Sequence, residues 1–387
     1  MKSSSGEHFL ALDHVRALAA LLVVVYHFIH GTEGSPVPYG FVPAFPPLAL
    51  VDEGHTGVAV FMTLSGYLFA RLLCGKEIIY WRFVWNRCLR LFPLLFLVIA
   101  LIVLKKAVLG ESVIDYIHHI SKGWLWPALP NGGWSITVEF HFYLLLPFLL
   151  YLLHRSPWLL AALLGVSLAV RYLVWSHSGE VQFLAYWTLI GRIDQFVAGM
   201  LAFHGRRQIA AYPKDVLTVA VAFSLFYWWF DFVGGYYAYP SYPSDRPLWI
   251  VLPTIEGFAY AVLICWYDQA GCQRLFPVGE GTGVRAGVSR ALGWMGELSY
   301  SMYLLHFFVV FRAAGFIHAR LWDLSNFYVA GATALIFYLA LLPLAYLSYR
   351  YLEKPFLRMR LPYTLKPGGA PWGVPPPPNP VDREAWR

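Results

Sequence analysis

The sequence predicts an all-α polytopic membrane protein, with about ten transmembrane helices in one bundle and both termini in the cytoplasm. The chain of 387 residues is 58% hydrophobic and only 13% charged, whereas a soluble domain usually carries about 25% charged residues. Apolar windows close to the roughly 20 residues that a membrane-spanning helix needs recur from end to end. If successive windows cross the membrane in alternating directions, most of the 29 Lys and Arg residues lie on one side of it.

The apolar windows are expected to alternate in direction across the membrane. In chain order they cover residues 10–30, 55–73, 89–109, 134–153, 157–176, 183–204, 215–233, 247–266, 291–314 and 327–350. An even number of spans places both termini on one side. That side carries most of the Lys and Arg residues, so the positive-inside rule makes it the cytoplasm.

The expected location is the cytoplasmic (inner or plasma) membrane, with the chain embedded as a multi-pass protein. The first window contains Arg16, and no small-residue cleavage site follows it, so it does not read as a signal peptide. The net charge of +7 reflects the cytoplasmic bias and attraction to anionic lipids. We expect the lipid bilayer as a partner and no nucleic acid.

One membrane domain, residues 1–360, accounts for almost the whole chain. Residues 361–387 include four consecutive prolines at 375–378, a composition typical of a disordered cytoplasmic tail. The four cysteines, at positions 74, 88, 265 and 272, fall near cytoplasmic window ends, where thiols stay reduced. Their spacing matches no metal-binding pattern, so we interpret them as packing residues and expect no metal.

Polar residues occupy one face of the first apolar window. Arg16 and His27 are eleven residues apart, which is within about 20° of three full helical turns. Asp13 lies three residues before Arg16 and falls on the same side. Because such groups are costly to place in a bilayer, we interpret this stripe as a functional site. Arg16 is then expected toward the cytoplasmic side and His27 near the outer leaflet.

A second polar cluster opens the fourth window. Two glycines at 132–133 indicate a tight turn, and Trp134 suits the membrane interface. Ser135 and Glu139 are four residues apart and therefore share a helix face. Since this window enters from the outside, Glu139 is expected at a depth similar to that of His27.

Two further groups have spacings that suggest a role. Ser299, Tyr303 and His306 in the ninth window lie at offsets that place them on one helix face. Arg87 and Arg90, at the cytoplasmic end of the third window, are three residues apart. Paired guanidinium groups at that spacing suit a phosphate or pyrophosphate ligand.

Structural interpretations compete with these functional ones. Arg192 and Asp194, in the sixth window, are expected to form an intramembrane ion pair that supports the fold. His306 could belong only to an interhelical hydrogen-bond network. Ser65 is interpreted as small-residue helix packing and not as a nucleophile. Taken alone, His27 would be a hydrogen-bonded helix histidine.

The ordered set of motifs resembles the acyltransferase 3 family, multi-pass membrane enzymes that O-acylate carbohydrates and some small molecules. The matching motifs, in chain order, are Arg16 with His27; the segment 57–67; Arg87 with Arg90 and Pro93; Trp134 and Ser135 with Glu139, Phe142 and Tyr143; Arg192 with Asp194, Phe196 and Gly199; Ser299 through His306; and Glu353 with Pro355. The chain departs from the family where His14 and Ala17 replace two glycines and where Phe140 replaces a second glutamate.

The resemblance implies an acyltransferase related to O-antigen and exopolysaccharide acetylases, with acyl-CoA, usually acetyl-CoA, as co-substrate and no bound cofactor. The acceptor is a hydroxyl of a carbohydrate or a small molecule. The implied catalytic residues are His27, as general base or acyl carrier, and Glu139, which would orient it. Arg16, Arg87 and Arg90 would bind the anionic end of the donor. Residues expected to support the site are Asp13, Trp134, Ser135, Arg192, Asp194, Ser299, Tyr303 and His306.

Two other classes remain open on sequence grounds. A proton-coupled transporter or exporter would use the same types of intramembrane residue, although it would usually show two related halves. A different membrane-bound O-acyltransferase family with one intramembrane histidine is the second alternative. The acceptor, the acyl chain length, the oligomeric state and the choice between direct transfer and an acyl-histidine intermediate are not determined by the sequence.

Overall fold

The computed structural model describes residues 9–30, 36–237, 242–276 and 283–364. Within these ranges the regular structure is helical, apart from one isolated antiparallel bridge between Ile78 and Thr364. The α-helices are α1 (Leu10–His30), α2 (Ala49–Asp52), α3 (Gly57–Leu73), α4 (Tyr80–Val108), α5 (Val113–Ser121), α6 (Trp134–Arg155), α7 (Pro157–Ser178), α8 (Gln182–Trp187), α9 (Leu189–His204), α10 (Arg206–Ala211), α11 (Pro213–Phe232), α12 (Leu248–Trp266), α13 (Cys272–Leu275), α14 (Val284–Glu297), α15 (Ser299–Leu305), α16 (Val310–Arg320), α17 (Phe327–Ser348) and α18 (Lys354–Leu357). Short 3₁₀ helices cover Pro46–Leu48, Gly54–Thr56, Lys122–Trp124 and His306–Phe308, and π-helical turns cover Tyr267–Gly271 and Tyr349–Glu353.

Eight helical segments in the described part of the chain are long and apolar enough to cross a membrane. They are Leu10–His30, Gly54–Leu73, Tyr80–Val108, Trp134–Arg155, Pro157–Ser178, Pro213–Phe232, Leu248–Leu275 and Phe327–Leu357. A bent pair, Ser299–Phe308 with Val310–Arg320, makes nine if it is one span. The described part of the chain is therefore all-helical, and the protein is a multi-span membrane protein. The count of ten and the side on which the termini lie stay predictions.

Two of the expected spans are interrupted in the structure. The sixth window is divided at Thr188, whose hydroxyl oxygen caps α9 by accepting from the backbone N–H of Gly191 at 3.1 Å. The resulting α9 has 16 residues and is about 24 Å long, which is short for a membrane span. The ninth window is spread over α14, α15 and α16, and the axis turns by 56° between the last two.

Helices α1, α3 and α9 lie at the centre of the bundle, whereas α4 and α7 present most of their surface outward. Glycines allow α3 and α9 to pack closely: a Cβ on Gly66 would lie 1.9 Å from the carbonyl oxygen of Phe196. A Cβ on Gly199 would similarly lie 2.1 Å from the carbonyl oxygen of Thr63. Small residues at membrane helix interfaces permit this kind of backbone contact. The central helices thereby fix the walls of the site described below.

The chain continues beyond α18 as a segment that docks on the start of α4. We call residues 358–364 the C-terminal strap. The Asn86 side chain donates to the Leu361 carbonyl at 2.7 Å and accepts from the Leu361 N–H at 2.9 Å. The backbone N–H of Ile79 donates to the Tyr363 carbonyl at 2.8 Å. These bonds hold residues 361–364 of the expected tail to the body, and the domain boundary itself stays a prediction. Residues 365–387 lie outside the described residues.

The four cysteines are free thiols. Cys265 and Cys272 are buried within the bundle, which agrees with a packing role. Cys74 is exposed at the end of α3 and does not pack in the interior. Partial burial nevertheless raises the pKa of its thiol.

Candidate active site

A cavity lies inside the bundle between α1, α3, α4, α6, α9 and α15, with room for about 100 Å³ of solvent. Its wall combines apolar side chains, among them Phe61, Met62 and Phe196, with an unusual number of polar ones. The polar lining residues are Arg16, Ser65, Arg87, Arg90, Ser135, Glu139, Tyr143, Ser299, Tyr300 and Tyr303. Several residues that the sequence predicted for the site therefore meet in one space.

Three guanidinium groups form one end of this cavity. Arg16 donates to the carboxylate of Asp13 one turn earlier on α1, as the spacing predicts, while its own side chain stays 19% exposed. Arg87 and Arg90 project from α4, and the Arg87 guanidinium lies 5.2 Å from the ring centre of Phe69. The charges of Arg87 and Arg90 are close enough to act on Arg16. Three like charges at one end of a cavity favour an anionic ligand.

Glu139 lies in the same cavity, one turn along α6 from Ser135. Its carboxylate accepts hydrogen bonds from the Tyr143 hydroxyl and, at 3.3 Å, from the Ser65 hydroxyl of α3. The Ser135 hydroxyl donates to the Gly132 carbonyl at 3.1 Å. Glu139 is thus a fixed acceptor on the wall between the arginines and the beginning of α6.

His27 and His306 form a pair beyond the other end of the cavity. The His27 Nδ1 atom lies 2.8 Å from the Val23 carbonyl oxygen and 3.4 Å from the His306 Nε2 atom. The His306 Nδ1 atom lies 3.0 Å from the Met302 carbonyl oxygen. Because a carbonyl only accepts, these partners assign the proton of each ring to Nδ1.

These assignments leave the two Nε2 atoms with different roles. The single Nδ1–H of His27 donates to the Val23 carbonyl at 2.8 Å, and the Nε2 lone pair of His306, 3.4 Å from the same nitrogen, can share it only as the longer branch of a bifurcated bond. The Nε2 atom of His27 has its lone pair available for another group. His306 is fully buried, whereas His27 is partly exposed, packed with its ring centre 4.6 Å from that of Phe307.

Tyr303 connects the cavity to the histidine pair. Its side chain lines the cavity, its hydroxyl donates to the Gly132 carbonyl at 3.1 Å, and its ring centre lies 6.2 Å from that of His306. Ser299, one turn earlier on α15, also lines the cavity. The polar face predicted for the ninth window therefore runs from the cavity to His306.

The expected contact between Glu139 and His27 is absent from the structure. Glu139 bonds with Ser65 and Tyr143, and His27 bonds with Val23 and His306. The Tyr303 hydroxyl bonds Gly132 just before α6 begins, whereas Glu139 is five residues inside α6 and so lies about 7–8 Å along the helix from Trp134. The sequence predicts a similar membrane depth for Glu139 and His27. An estimate of depth with that precision does not show whether the two side chains are in contact.

The expected ion pair between Arg192 and Asp194 is also wrong. Side chains two residues apart on a helix point in nearly opposite directions. Asp194 instead accepts from Arg171 of α7 at 2.7 Å, and both side chains are fully buried. Arg192 donates to the Tyr186 carbonyl at 2.5 Å, with its guanidinium 4.2 Å from the Tyr186 ring centre.

Trp134 is buried at the start of α6 and does not sit in an exposed interfacial belt. Its ring centre lies 5.1 Å from that of Tyr186 and 4.7 Å from that of Trp187. The Arg192 guanidinium lies 5.6 Å from the Trp134 ring centre. Trp134 and Arg192 therefore support the helix junction beside Ser135.

Sequence reasoning missed Ser65 and Arg171 as partners. The sequence predicts a packing role for Ser65 because Gly66 follows it. In the structure the two residues face different ways: Gly66 contacts α9, and Ser65 faces the cavity. Arg171 is a charged residue inside the fifth apolar window. That position could have indicated that it pairs with a buried carboxylate, which the structure shows to be Asp194.

The residue that departs from the family motif at position 14 has a packing role. His14 is buried, with Nδ1 2.6 Å from the Tyr267 hydroxyl and Nε2 2.8 Å from the Ser289 carbonyl oxygen. His14 thus connects α1 to the π-helical turn after α12 and to α14.

The fold and the site together define a membrane protein of many helices, with a charged cavity inside the bundle that ends near a histidine pair. The chain belongs to the acyltransferase 3 family: the model of that family, described as an acyltransferase domain, matches residues 9–351. The protein is therefore a membrane acyltransferase, and the resemblance seen in its motifs is confirmed. No curated protein and no solved structure gave a significant match.

Proposed function

We propose that the protein transfers an acyl group, specifically acetyl, from cytoplasmic acyl-CoA to a hydroxyl of a carbohydrate or glycosylated acceptor. We place it in the cytoplasmic (inner) membrane. The observation that carries this proposal is one cavity whose cationic end leads past Glu139 and Tyr303 to the histidine pair. The cationic end suits the phosphates of the donor, and the histidines suit the transfer step.

The donor end uses guanidinium chemistry. Coenzyme A carries a pyrophosphate and a ribose phosphate, and Arg binds phosphate oxygens through two parallel N–H bonds. Arg87 and Arg90 are the primary anchors of this group, and Arg16, oriented by Asp13, extends the cationic surface along α1. The acyl-pantetheine arm then follows the cavity, where the fixed carboxylate of Glu139 can accept from an amide N–H of the arm.

At the far end, His27 acts as general base. Its Nε2 atom takes the proton of the acceptor hydroxyl while the oxygen attacks the thioester carbonyl. The new C–O bond forms, the C–S bond breaks, and the proton passes from His27 to the departing thiolate, giving ester and free CoA. The Val23 carbonyl, which accepts the Nδ1–H of His27 at 2.8 Å, and the His306 Nε2 lone pair, 3.4 Å from the same nitrogen, orient the ring and stabilise the transient positive charge. In a hydrolase triad a carboxylate orients the base histidine, whereas here the partners are neutral and supply orientation and a dipole without a negative charge.

A covalent route would use the same nitrogen. In that route the Nε2 atom of His27 attacks the thioester first, releases CoA and holds the acyl group until the acceptor hydroxyl removes it. Incubation with radiolabelled acetyl-CoA without acceptor distinguishes the routes. Label retained on the protein and lost in a His27→Ala variant supports the intermediate, whereas no label supports direct transfer.

Replacement of His27 tests the proposal directly. In purified protein supplied with acetyl-CoA and extracted surface glycans, His27→Ala should lower kcat by about 10²–10⁴-fold, the usual contribution of a general base. His118→Ala, an exposed histidine on α5, is the matched control and should be unchanged. Full turnover by the His27→Ala protein would contradict the assignment.

Comparison of surface glycans from wild-type and deletion strains by mass spectrometry identifies the acceptor. Loss of the mass increment of one acetyl group from a defined species would name donor group and acceptor together. An unchanged glycan profile would count against a carbohydrate acceptor.

A further inference from the structure

A second cleft lies in the membrane body, apart from the cavity of the candidate active site. It has a volume of about 710 Å³ and is lined by residues of α7, α9, α10, α11 and α12. Its residues on α9 are Ala198, Leu201 and Ala202, whereas Phe196 of the same helix lines the first cavity. At about 100° per residue, these three side chains point away from the side of α9 that carries Phe196. The helix therefore separates the two spaces.

The wall of this cleft is made of hydrocarbon side chains. Of its lining residues, all but Thr254 are apolar. The Thr254 hydroxyl is already engaged, since it accepts from Arg171 at 2.7 Å and donates to Asp194 at 2.5 Å. Its single proton is thereby used within the protein. A space without available polar partners holds no ordered water, so a hydrocarbon chain is the occupant that suits it.

The cleft opens from the protein toward the surrounding bilayer. It extends along α12 from Thr254 to Val262, which is about 12 Å of helix. Phe258, between these two residues, is 61% exposed, and Ala222 of α11 is exposed as well. Both α11 and α12 belong to segments that are long and apolar enough to cross a membrane. A lipid chain can therefore enter the cleft from the side.

One end of the cleft is bordered by basic residues. Thr254 is level with Asp194 near the start of α9, whereas Ile209 of α10 lines the cleft beyond the end of α9. At the Ile209 end, the charged residues closest along the described chain to the lining residues are Arg206, Arg207, Lys214 and Asp215. Asp268, past the end of α12, is paired with Arg71 of α3. Three cations and one carboxylate thus give this end a net positive charge.

Arg206 is held at this end by the last turn of α9. It lies three residues before Ile209, and it donates to the Phe203 carbonyl at 3.0 Å with its guanidinium 4.3 Å from the Phe203 ring centre. A guanidinium has five N–H donors, so this contact leaves donors for a phosphate. Arg207 and Lys214 are exposed beside it.

We propose that this cleft is a lipid-binding site, in which one acyl chain of an anionic glycerophospholipid lies along α9 and α12 and the lipid phosphate contacts Arg206 and Arg207. The apolar wall accommodates the chain, and the basic end selects a negative headgroup. The bound chain completes the packing around α9, whose 16 residues are short for a membrane span. This site does not depend on the proposed acyl transfer.

Native mass spectrometry of the delipidated protein in a mild detergent tests the cleft. Titration with palmitoyl-oleoyl phosphatidylglycerol should show one binding event that is tighter than the rest. Ala222→Trp puts a large ring into the cleft and should weaken that event at least tenfold. Ala340→Trp is the matched control, because Ala340 is also exposed but lies on α17, outside the cleft lining, and this variant should bind like wild type.

Headgroup selection is measured in the same titration. Wild type should bind phosphatidylglycerol at least tenfold more tightly than zwitterionic phosphatidylethanolamine, because each basic residue at an anionic lipid gives about fivefold in affinity. The double variant Arg206→Gln with Arg207→Gln should lose this preference and still bind both lipids. Arg285→Gln, at an exposed arginine on α14, should keep the preference.

Three results would overturn the inference. Equal lipid affinity in Ala222→Trp and Ala340→Trp would show that the lipid does not enter the cleft. Equal affinity of the wild-type protein for the two phospholipids would remove the headgroup contact, and tighter binding of an isoprenoid phosphate than of phosphatidylglycerol would name a different occupant. The arginine substitutions leave the cleft wall unchanged, so their comparison stands even if Ala222→Trp fails to fold.

Discussion

Two Arg–Asp pairs inside the membrane body have the same chemistry but different surroundings. Arg171 and Asp194, between α7 and α9, are both fully buried, and Thr254 and the Gly191 carbonyl complete their hydrogen bonds at 2.5–2.7 Å. Arg16 and Asp13 lie one turn apart on α1. The Arg16 side chain lines a cavity that is also lined by Arg87 and Arg90.

The difference separates a charge whose partners are all within the protein from a charge that lines a cavity. The guanidinium of Arg171 donates to Asp194, Thr254 and the Gly191 carbonyl, and Arg171 does not line the cavity. Arg16 keeps part of its surface in a space that a ligand can enter. Residue type and membrane depth do not distinguish the pairs, whereas accessible space does.

The largest expected effect is on stability, at the buried pair. Arg171→Met leaves the carboxylate of Asp194 buried without its cation, and such a loss typically costs about 3–5 kcal/mol. The variant should show a strongly reduced melting temperature in detergent and a poor yield of monodisperse protein.

The double variant Arg171→Met with Asp194→Leu is the control for this prediction. Removing both charges avoids the uncompensated carboxylate and should restore much of the stability. A double variant no more stable than the single one would show that the pair contributes more than mutual neutralisation.

Arg16 should show the opposite pattern. If Arg16 binds the donor as proposed, Arg16→Gln removes one charge-assisted contact worth about 1.5–3 kcal/mol, and so should raise the KM for acetyl-CoA by about 10–100-fold. Its melting temperature should fall less than that of Arg171→Met, because the amide of the new glutamine can still donate a hydrogen bond to the buried Asp13 carboxylate, whereas methionine has no donor to offer. Parallel measurement of KM and melting temperature on both arginine variants provides the comparison. A melting temperature as low as that of Arg171→Met would place Arg16 with the structural pair.

The smallest effect is expected at Ser65. Ser65→Ala removes one hydrogen bond of 3.3 Å to Glu139, which keeps its contact with Tyr143. Because this bond to the carboxylate is long and the Tyr143 contact remains, its loss should cost about 0.5–1.5 kcal/mol, as for an ordinary hydrogen bond, so acyl transfer should slow by about two- to tenfold, with unchanged stability. Wild-type rates would show that Tyr143 alone positions the carboxylate.

Relations within a single helix could be predicted from the sequence. Asp13 and Arg16 are three residues apart and do pair, and Ser299 and Tyr303 share a face that lines the cavity. Helical periodicity determines these relations locally. It carries no information on which face of another helix lies opposite.

Contacts between helices could not be predicted in this way. The partner of Asp194 is 23 positions away in α7, and His27 meets His306 from a helix at the other end of the chain. Burial depth inferred from helix rise is accurate to about one turn, and that error was enough to pair His27 with Glu139 wrongly. Breaks at Thr188 and Val309 likewise depend on tertiary packing, so apolar windows alone could not locate them.

The bend between α15 and α16 determines where α16 lies relative to His306, and so affects the space available to the proposed acceptor. The 11 residues of α16 extend about 16 Å, and a 56° turn moves the far end about 13 Å sideways from the line of α15. That displacement is about the diameter of one helix with its side chains. If α16 continued in the direction of α15 without the bend, it would occupy the space directly beyond His306. The bend moves α16 out of that space by about its own width, so α16 does not block the side from which the proposed function requires an acceptor hydroxyl to approach.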